Sequence, residues 1–409
     1  MIGSLYSGIS GLKANTSAMA VIGDNIANVD TTGFKSSRVS FANIFSSSLS
    51  QTNVQIGRGV FMNSVNPQWE SGSLENTNSA TDLSVNGSGM FIVADPNSGT
   101  PYYTRAGKFD WNSEGNLVTP DGFLVQGIPI DPDGVRGSIG DIVLPNGTSD
   151  PNPTSNIAFG LNLSNDAAVG DTFTSSITTY DSLGSEVILD IVFTRNSPGW
   201  DWVVNPDVGA SATTGHIEFD SDGNLDPAAS FYDPGTGAVY ADPVIDVTGL
   251  GGANDLGITW TYLDAGASDG SITGYSGEST KTAQSQDGYP SGSLQTVAVD
   301  EDGYFTGIYS NGSMIPFAQL SLADFASYAG LAKQGSNLYA ESLSSGQPLV
   351  GPPNTAGLGS VAPSTLEMSN VDLGTEFVEM ITTQRAFQAN SKVITTSDEI
   401  LSELLNIKR

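Results

Sequence analysis

Residues 371–407 read VDLGTEFVEMITTQRAFQANSKVITTSDEILSELLNI, and this stretch decides the fold at its end of the chain. Apolar side chains recur at every seventh position, namely Leu373, Met380, Phe387, Ile394 and Leu401. A heptad repeat of this kind is typical of a helix that packs along its length against another helix. Phe377 and Leu405 share a second heptad position. Asp372 or Asn370 can cap the N-terminal end of the predicted helix. We therefore predict one long amphipathic helix.

The opening of the chain carries a second helical pattern, over residues 3–29. Its periodic residues recur at steps of three and four: Leu5, Ile9, Leu12, Thr16, Met19, Ile22, Ile26 and Val29. Small or polar side chains lie between them, which predicts a thin helix with a narrow apolar stripe. Gly8 and Gly11 each lower helix propensity by about 1 kcal/mol, so we expect this helix to be weak in isolation.

Two long helices at the chain ends raise the question of what covers them. A helix of about 35 residues is roughly 52 Å long, which exceeds the size of a small β-domain. The helix could lie on its own globular domain, or the terminal helices could pack against copies of the chain. We favour self-assembly, through Leu5, Ile9, Leu12, Met19, Ile22, Ile26, Val29, Leu373, Phe377, Met380, Phe387, Ile394, Leu401 and Leu405.

The residues between the helices read as short strands separated by Gly, Asn, Asp and Pro. Three turns, at Gly115, Gly223 and Gly303, place a polar or acidic cluster before glycine, which is the pattern of a hairpin. We predict strands at 83–85, 90–93, 101–104, 122–126, 139–144, 172–179, 187–193, 200–204, 244–247, 258–262, 296–299 and 317–322.

These patterns predict a mixed fold, in which terminal α-helices form a coiled-coil-like inner layer and the middle holds two mainly antiparallel β-domains. Stretches rich in turn-forming residues at 145–156 and 276–293 look like domain boundaries. We assign the regions as follows: helical domain, 1–30 and 366–409; extended linker or β-hairpin, 31–72; first β-domain, 73–145 and 291–365; inserted outer β-domain, 146–290.

Charge is distributed unevenly along the chain. The net charge is −30, of which residues 70–363 carry −29, while residues 1–69 carry +2 and residues 364–409 carry −3. Self-repulsion is therefore concentrated in the β-rich middle. A nucleic-acid partner is excluded because no basic stripe exists to meet phosphates.

Two classes of targeting segment do not fit the sequence. No run of about 18 apolar residues occurs, so we expect no membrane insertion. The opening residues lack the basic start and uninterrupted apolar core of a cleaved secretory signal. If the protein is extracellular, we expect it to leave the cell by another route.

The sequence offers little material for catalysis or metal binding. Cysteine is absent, and the single histidine, His216, fits an ordinary strand or loop position. Four residues stand at calcium-loop spacing: Asp220, Asp222, Asn224 and Asp226. The loop glycine comes too early and the closing glutamate is missing, so we favour a hairpin turn over a calcium site. We expect no enzymatic activity, no cofactor and no metal.

Several segments resemble bacterial flagellar rod and hook proteins. The N-terminal signature of that family is similar to residues 7–12 (SGISGL) and 25–35 (NIANVDTTGFK), and the C-terminal signature to residues 366–373 (LEMSNVDL) and 380–390 (MITTQRAFQAN). Residues 85–91 (VNGSGMF) and 103–109 (YTRAGKF) resemble its first β-domain. The acidic insert and the segment 286–294 favour a hook subunit over a rod subunit.

The resemblance implies a helical homopolymer. In it, terminal helices surround a channel, β-domains form outer layers, and the tube transmits torque from rod to filament as a universal joint. It also implies an extracellular location in the flagellum, reached through the flagellar export apparatus. The further partners implied are the distal rod, the hook cap and the hook–filament junction protein.

Two alternatives remain open on the sequence. One is a distal rod subunit of the same family. The other is a monomeric β-rich adhesin or carbohydrate-binding protein, for which Trp200, Trp202, Trp260 and Tyr262 could form a sugar platform. We favour core positions for these aromatic residues because they alternate along predicted strands.

Overall fold

The structure is a computed structural model that describes residues 2–45, 57–131, 134–145, 147–230, 242–261, 263–264, 267–268 and 270–407. Its helices are α1 (Ile2–Ala27), α2 (Pro227–Ser230) and α3 (Leu373–Ile407), with a 3-10 turn at Tyr328–Gly330. None of the helices in these ranges is long and apolar enough to cross a membrane.

The strands before residue 146 are β1 (Ser37–Phe45), β2 (Gly57–Pro67), β3 (Leu74–Asn76), β4 (Leu83–Asn86), β5 (Met90–Ala94), β6 (Pro101–Thr104), β7 (Asp110–Trp111), β8 (Leu117–Val118), β9 (Leu124–Pro129) and β10 (Gly140–Asp141). Those of the central region are β11 (Asn156–Asn162), β12 (Thr172–Tyr180), β13 (Glu186–Arg195), β14 (Trp200–Pro206), β15 (Thr214–Ile217), β16 (Val244–Val247), β17 (Leu256–Trp260), β18 (Leu263–Asp264), β19 (Ala267–Ser268), β20 (Ile272–Thr273) and β21 (Thr280–Gln286). Those that follow are β22 (Leu294–Val299), β23 (Tyr304–Tyr309), β24 (Met314–Leu320), β25 (Leu322–Asp324), β26 (Ala332–Gly335), β27 (Leu338–Ala340), β28 (Leu349–Gly351), β29 (Ser360–Pro363) and β30 (Thr365–Glu367).

The chain divides into two compact units. The first unit comprises Met1–Pro145, Val297–Gly307 and Ile315–Arg409, and the second comprises Asn146–Thr296 and Ile308–Met314. The predicted mixed fold is confirmed, since the terminal helices pack together and most strand pairs of the β-rich middle are antiparallel. The two terminal helices, α1 and α3, belong to the same compact unit as residues 73–145.

A β-body supports the helices in the first unit. We use this name for the sheet with strand order β22-β23-β24-β9-β5-β6-β27-β26, for the strands paired with it, and for the separate two-stranded sheet β29-β4, which shares a core cluster with it. One core cluster gathers around Phe91, Phe109 and Phe305, and a second holds Tyr103 and Tyr339. Both cores are formed by apolar side chains that short strands direct to the inside of the unit.

The second unit is built around buried tryptophans. Its sheets have the orders β12-β13-β14-β15 and β16-β17-β11-β20, with β21 paired to β11. Trp200, Trp202 and Trp260 are buried in the core cluster of this unit, which confirms the core interpretation for them. Tyr262 lies outside the described residues. These three rings are therefore not available as an exposed sugar platform.

Two sequence-based expectations are corrected. Residues 276–293 were expected to be a boundary, but they contain β21, which pairs antiparallel with β11. Its polar side chains are almost all exposed, so backbone hydrogen bonds rather than an apolar alternation define it. The predicted strand at 139–144 shrinks to Gly140–Asp141, because Val143 makes only an isolated bridge with Asn116.

The three similar turns are confirmed as hairpin turns of one design. In the second, the Asp220 Oδ1 atom accepts hydrogen bonds from the amides of Asp222 (2.9 Å) and Asn224 (2.8 Å). Asn112 and Asp300 accept equivalent pairs of bonds in the other two turns. The turn glycines at 115, 223 and 303 all have φ between 75° and 83°, a region that favours glycine.

Candidate self-assembly surface

Helices α1 and α3 form an antiparallel pair within one chain. The Ser4 and Ser397 hydroxyls lie 3.3 Å apart, and Asn25 Nδ2 donates to Glu376 Oε1 at 2.9 Å. Between these contacts α1 advances 21 residues while α3 returns 21, so the two helices stay in step over about six turns. A constant register of this kind is the geometry expected of a coiled-coil-like layer.

Two glycines let the helices approach closely. A Cβ atom at Gly8 would lie 2.9 Å from Ile394 Cγ1, and one at Gly11 would lie 2.7 Å from Asn390 Nδ2. The buried face of α1 is accordingly made mainly of small residues: Gly8, Gly11, Ala14, Ala18, Ile22 and Asn25. The glycines that weaken the isolated helix therefore form its contact with α3.

The predicted apolar stripe of α1 is mostly displaced from this buried face. Ile22 is buried, whereas Ile9 is 48% exposed. The remaining positions are half-buried, namely Leu5, Leu12, Met19, Ile26 and Val29. Close packing against α3 selects small side chains, so the larger apolar side chains lie beside the contact and partly in water.

The predicted heptad positions of α3 fall into two groups. Met380, Ile394 and Leu401 are half-buried. Phe377 and Phe387 are 50% and 37% exposed, and Leu373 is exposed as well. The side chain of Leu405 lies outside the described residues. Further exposed apolar side chains lie along the helix at Val378, Ile381, Val393 and Ile400.

A β-hairpin made of β1 and β2 packs on the other side of α1. A Cβ atom at Gly59 would lie 2.0 Å from Ser10 Oγ, and the Val60 amide donates to that same oxygen at 3.2 Å. The hairpin leaves apolar side chains exposed at Phe41, Ile44, Phe61, Met62 and Val65. Together with the exposed positions on α1 and α3, these side chains define the candidate assembly surface.

Asparagine side chains fasten the ends of the helices. Asn25 bonds both backbone groups of Ser37, with Oδ1 accepting from the amide at 2.8 Å and Nδ2 donating to the carbonyl at 3.0 Å. Asn370 accepts from the Ser36 amide at 2.8 Å. Of the two proposed caps, Asp372 is the one used, because its Oδ1 accepts from the Gly374 amide at 2.7 Å.

Three charged residues form a buried cluster, here called the Glu367 cluster, composed of Lys35, Arg105 and Glu367. Lys35 Nζ lies 2.5 Å from Glu367 Oε1, and Arg105 Nη1 lies 3.3 Å from Oε2. The side chains of Lys35 and Glu367 are only 2% and 1% exposed. Burial lowers the pKa of Lys35, and the hydrogen bond from Lys35 to Glu367 opposes this shift.

The cluster also binds backbone groups of neighbouring segments. Lys35 Nζ donates to the Glu70 carbonyl at 2.7 Å, and the Gly72 amide donates to Glu367 Oε1 at 3.1 Å. Arg105 donates to the carbonyls of Val85 and Gly87 on the β-body, at 2.9 and 2.6 Å. The Glu367 carboxylate therefore meets groups from three separate parts of the chain, at Lys35, Gly72 and Arg105.

Burial also affects a carboxylate at the helix contact. The pKa of Glu376 is raised because the group is partly withdrawn from water, while the hydrogen bond from Asn25 lowers it. This carboxylate lies in the first turn of α3, where the helix dipole favours a negative charge.

Sequence reasoning missed the residues that join the helices to the β-body. Lys35, Arg105 and Glu367 each lie inside a motif segment that carries the family resemblance. Each of these motifs contains a charged residue, and this was the signal that could have indicated the cluster. Charged side chains are rarely buried unless they are paired, so the three could have been considered as partners. Asn25 and Asn370 lie in the terminal motifs in the same way.

The candidate calcium loop and the histidine have local structural roles. Asp220 uses an oxygen to close its turn, and no three His, Asp or Glu side chains of the described ranges are grouped as metal ligands. His216 lies on β15 with Nδ1 2.6 Å from Asp201 Oδ1 and Nε2 3.1 Å from Glu218 Oε1. Although burial opposes it, the bonds from His216 and Asn196 lower the pKa of Asp201.

Family models match the chain in four stretches. Residues 5–35 match "Flagella basal body rod protein" and residues 84–157 match "Flagellar hook protein FlgE/F/G D1 domain". Residues 161–289 match "Flagellar basal body protein FlaE D2 domain", and residues 362–407 match "Flagellar basal body rod FlgEFG protein C-terminal".

Full-length relatives carry a common name. The chain is 35% identical to the flagellar hook protein FlgE of Treponema pallidum and 35% identical to that of Borreliella burgdorferi, over 100% of each chain. It is 31% identical to that of Escherichia coli, over 98% of each chain. A solved structure, the Helicobacter pylori flagellar hook protein FlgE2, matches with a TM-score of 0.52 and 15% identity, over 72% of this chain and 100% of that chain.

Proposed function

The chain belongs to the family of flagellar hook proteins, and from this premise we propose that it builds a curved helical tube that transmits torque from rod to filament as a universal joint. As a member of that family it is a structural subunit of the flagellar hook, and it polymerises with copies of itself. The proposal concerns how it does so and which parts of the chain carry the contacts.

The observation that carries the proposal is the number of apolar side chains that α3 leaves exposed. Phe377, Ile381, Phe387 and Ile400 remain open to water although α3 is already paired with α1. Scattered apolar residues are normal on a surface, but several large ones on one helix, together with those of the β1–β2 hairpin, mark an interaction site. A head-to-tail contact through this surface does not close on itself and so generates a filament.

The charge distribution supports the same arrangement. Residues 70–363 carry −29 of the net charge of −30, so the helical ends are nearly neutral. Nearly neutral helices can pack tightly, whereas like-charged outer domains resist permanent dry contact. Outer domains that slide past one another would let the tube bend while it rotates.

Further proposals follow from family membership. The helix pairs would surround a central export channel, and the tube would contact the distal rod, the hook cap and the hook–filament junction protein. The subunit would leave the cell through the flagellar export apparatus without a cleaved signal peptide. We assign the chain a mechanical role and no catalytic one.

The substitution Phe387→Asp tests the assembly surface. A carboxylate at this position should abolish tube formation, because a charge would be buried between subunits without a partner. The matched variant is Gln388→Asp, which adds the same charge at the next exposed position of α3. Sedimentation and electron microscopy report the tubes, and circular dichroism shows that both variants remain folded.

Three outcomes would contradict parts of the proposal. Normal tubes from Phe387→Asp would remove α3 from the assembly surface. Straight, rigid polymers from the unsubstituted chain would favour a distal rod subunit. Dispersed particles under all conditions would favour a monomeric surface protein instead.

A further inference from the structure

The Glu367 cluster lies where the terminal helices meet the β-body. Lys35 belongs to the segment that follows α1, and Glu367 is in β30, just before α3 begins at Leu373. Arg105 follows β6 and is held on the β-body by its bonds to Val85 and Gly87. Glu367 therefore contacts the exit from α1 and the β-body at once, next to the entry to α3.

The Glu367 cluster restricts the relative orientation of the segments that carry its three side chains. Its charged side chains are almost completely removed from water. Separating a buried ion pair leaves charges without solvation, so the pair tolerates little movement of the segments that carry it. An apolar contact of similar size would give comparable burial, but it would accept many more relative orientations.

We propose that Glu367 is a positioning residue, which fixes the direction in which the α1–α3 pair leaves the β-body and thereby sets the geometry at which subunits assemble. This inference rests on the proposed function for its consequence in the polymer. The claim that Glu367 fixes the direction of the helix pair concerns a single chain, and it can be tested on the unpolymerised protein.

Distance measurements between spin labels test the fixed direction. The chain has no cysteine, so Lys13→Cys on α1 and Asp121→Cys on the β-body give two labelling sites without background. Electron–electron double resonance on the full chain should give a narrow distance distribution. The substitution Glu367→Gln should broaden it at a temperature where circular dichroism shows a folded chain.

The matched control is Glu75→Gln. Glu75 is exposed and lies on β3 opposite Leu366, so it is close to Glu367 in the fold. We expect it to leave the distribution narrow and the melting temperature unchanged. Glu367→Gln should lower the melting temperature by about 10 °C, because it breaks a buried ion pair.

A double variant separates positioning from stability. Lys35→Met with Glu367→Met replaces the Lys35–Glu367 pair by apolar groups, while Arg105 keeps its bonds to two carbonyls, so the double variant should recover part of the lost melting temperature. We expect the distance distribution to stay broad and tube formation to stay impaired. Recovery of a narrow distribution in the double variant would show that the cluster contributes stability alone and would overturn the proposal.

Two other results would also overturn it. One is a narrow distribution in Glu367→Gln, and the other is a broad one in the labelled chain that keeps Glu367. Tube formation by the unsubstituted chain is scored separately by electron microscopy. If that chain forms no tubes, the proposed function fails, while the distance measurements still decide whether Glu367 fixes the direction.

Discussion

Gly8 and Gly11 show how residues that weaken an isolated helix can strengthen a pair of helices. The sequence predicts their cost in helix propensity, which is a local property. It does not show that Ile394 and Asn390 approach them, because those contacts depend on the fold of the whole unit. The same limit explains why the larger apolar side chains of α1 were expected to form its contact face.

The substitution Gly8→Leu should separate α1 from α3. Its Cβ atom would lie 2.9 Å from Ile394 Cγ1, so we expect a loss of about 2 kcal/mol in stability from overpacking. Gly23→Leu is the matched control on the same helix, since a Cβ atom there meets nothing within 4 Å. It should instead stabilise the helix by up to about 1 kcal/mol.

Thermal unfolding followed by circular dichroism measures both effects. Equal melting temperatures for the two variants would contradict the close approach of the helices at Gly8.

Buried tyrosines predict that the first unit loses stability in alkali. Withdrawal from water raises the pKa of Tyr103, Tyr328 and Tyr339 from 10.0 to about 12. Between these values the unfolded chain has lost a proton that the folded chain retains. Stability from these groups is therefore complete below pH 10 and is lost as the pH rises toward 12.

The variant Tyr339→Phe isolates one of these groups. Urea unfolding at pH 8 and at pH 11 should show a smaller loss in the variant, by about 1 kcal/mol, because a phenylalanine side chain cannot titrate. The lowered pKa of Lys35 acts in the opposite direction below pH 10.5, but it is common to both proteins. An identical loss in both proteins would exclude Tyr339 as a contributor.

Charged residues illustrate what sequence motifs can and cannot reveal. Lys35, Arg105 and Glu367 were visible inside motifs, yet their meeting was not, because Arg105 and Glu367 are 262 positions apart in the chain. Asp372 was correctly proposed as a cap, since capping depends on neighbours in sequence.

At the scale of elements, the register of the helix pair leaves the end of α3 without a partner helix among the residues that the structure describes. The contact of Ser4 with Ser397 places the start of α1 near residue 399, so residues 400–407 run past it. Ile400 at this end is exposed. We interpret this overhang as a contact with a neighbouring subunit.

Deletion of residues 400–409 tests the overhang. The α1–α3 contacts described above all precede residue 400, so the shortened chain should keep its helix pair and melt within a few degrees of the full chain. We expect the critical concentration for polymerisation to rise at least about tenfold, which corresponds to about 1.4 kcal/mol of lost contact energy per subunit. Sedimentation of assembled tubes measures this value, and an unchanged one would contradict the interpretation.

Elements with a strong local pattern were predicted well, and elements without one were missed. Helix α3 was expected over 371–407 and begins at Leu373, because the heptad and the cap are both local signals. Strand β21 was missed because its residues are polar on both faces, and only its pairing with β11 makes it a strand.

At the scale of the whole molecule, the charge of −30 predicts how assembly responds to salt. Raising NaCl from about 0.01 M to about 0.15 M shortens the screening length from about 30 Å to about 8 Å. Repulsion between the acidic residues 70–363 of neighbouring chains should weaken, and the critical concentration for tube formation should fall. Light scattering with electron microscopy measures the response.

The variant Phe387→Asp distinguishes tubes from nonspecific association in that experiment, since it should not form tubes at either salt concentration. A critical concentration that rises with salt would show instead that attraction between opposite charges holds the subunits together.

The overall organisation was predictable because it rests on patterns that recur along the sequence. A heptad at one end, helical spacing at the other and alternation in the middle predicted the fold class, and the uneven charge distinguished the two ends from the middle. The close approach at Gly11 and the meeting at Glu367 were not predictable, because both join residues from opposite ends of the chain.

The pairing of β11 with β21 has a mechanical consequence for the second unit. Its longer segment runs from Asn146 to Thr296, and antiparallel bridges join Thr148 to Ser293 and Asn152 to Tyr289 before the β11–β21 ladder begins at Ile157 and Gln286. A pull on the two ends of this segment would act on the Thr148–Ser293 bridge first and then on each following pair, as a zipper opens. Strands loaded one hydrogen bond at a time yield at low force, so the second unit would give way there first and close again when the load is removed.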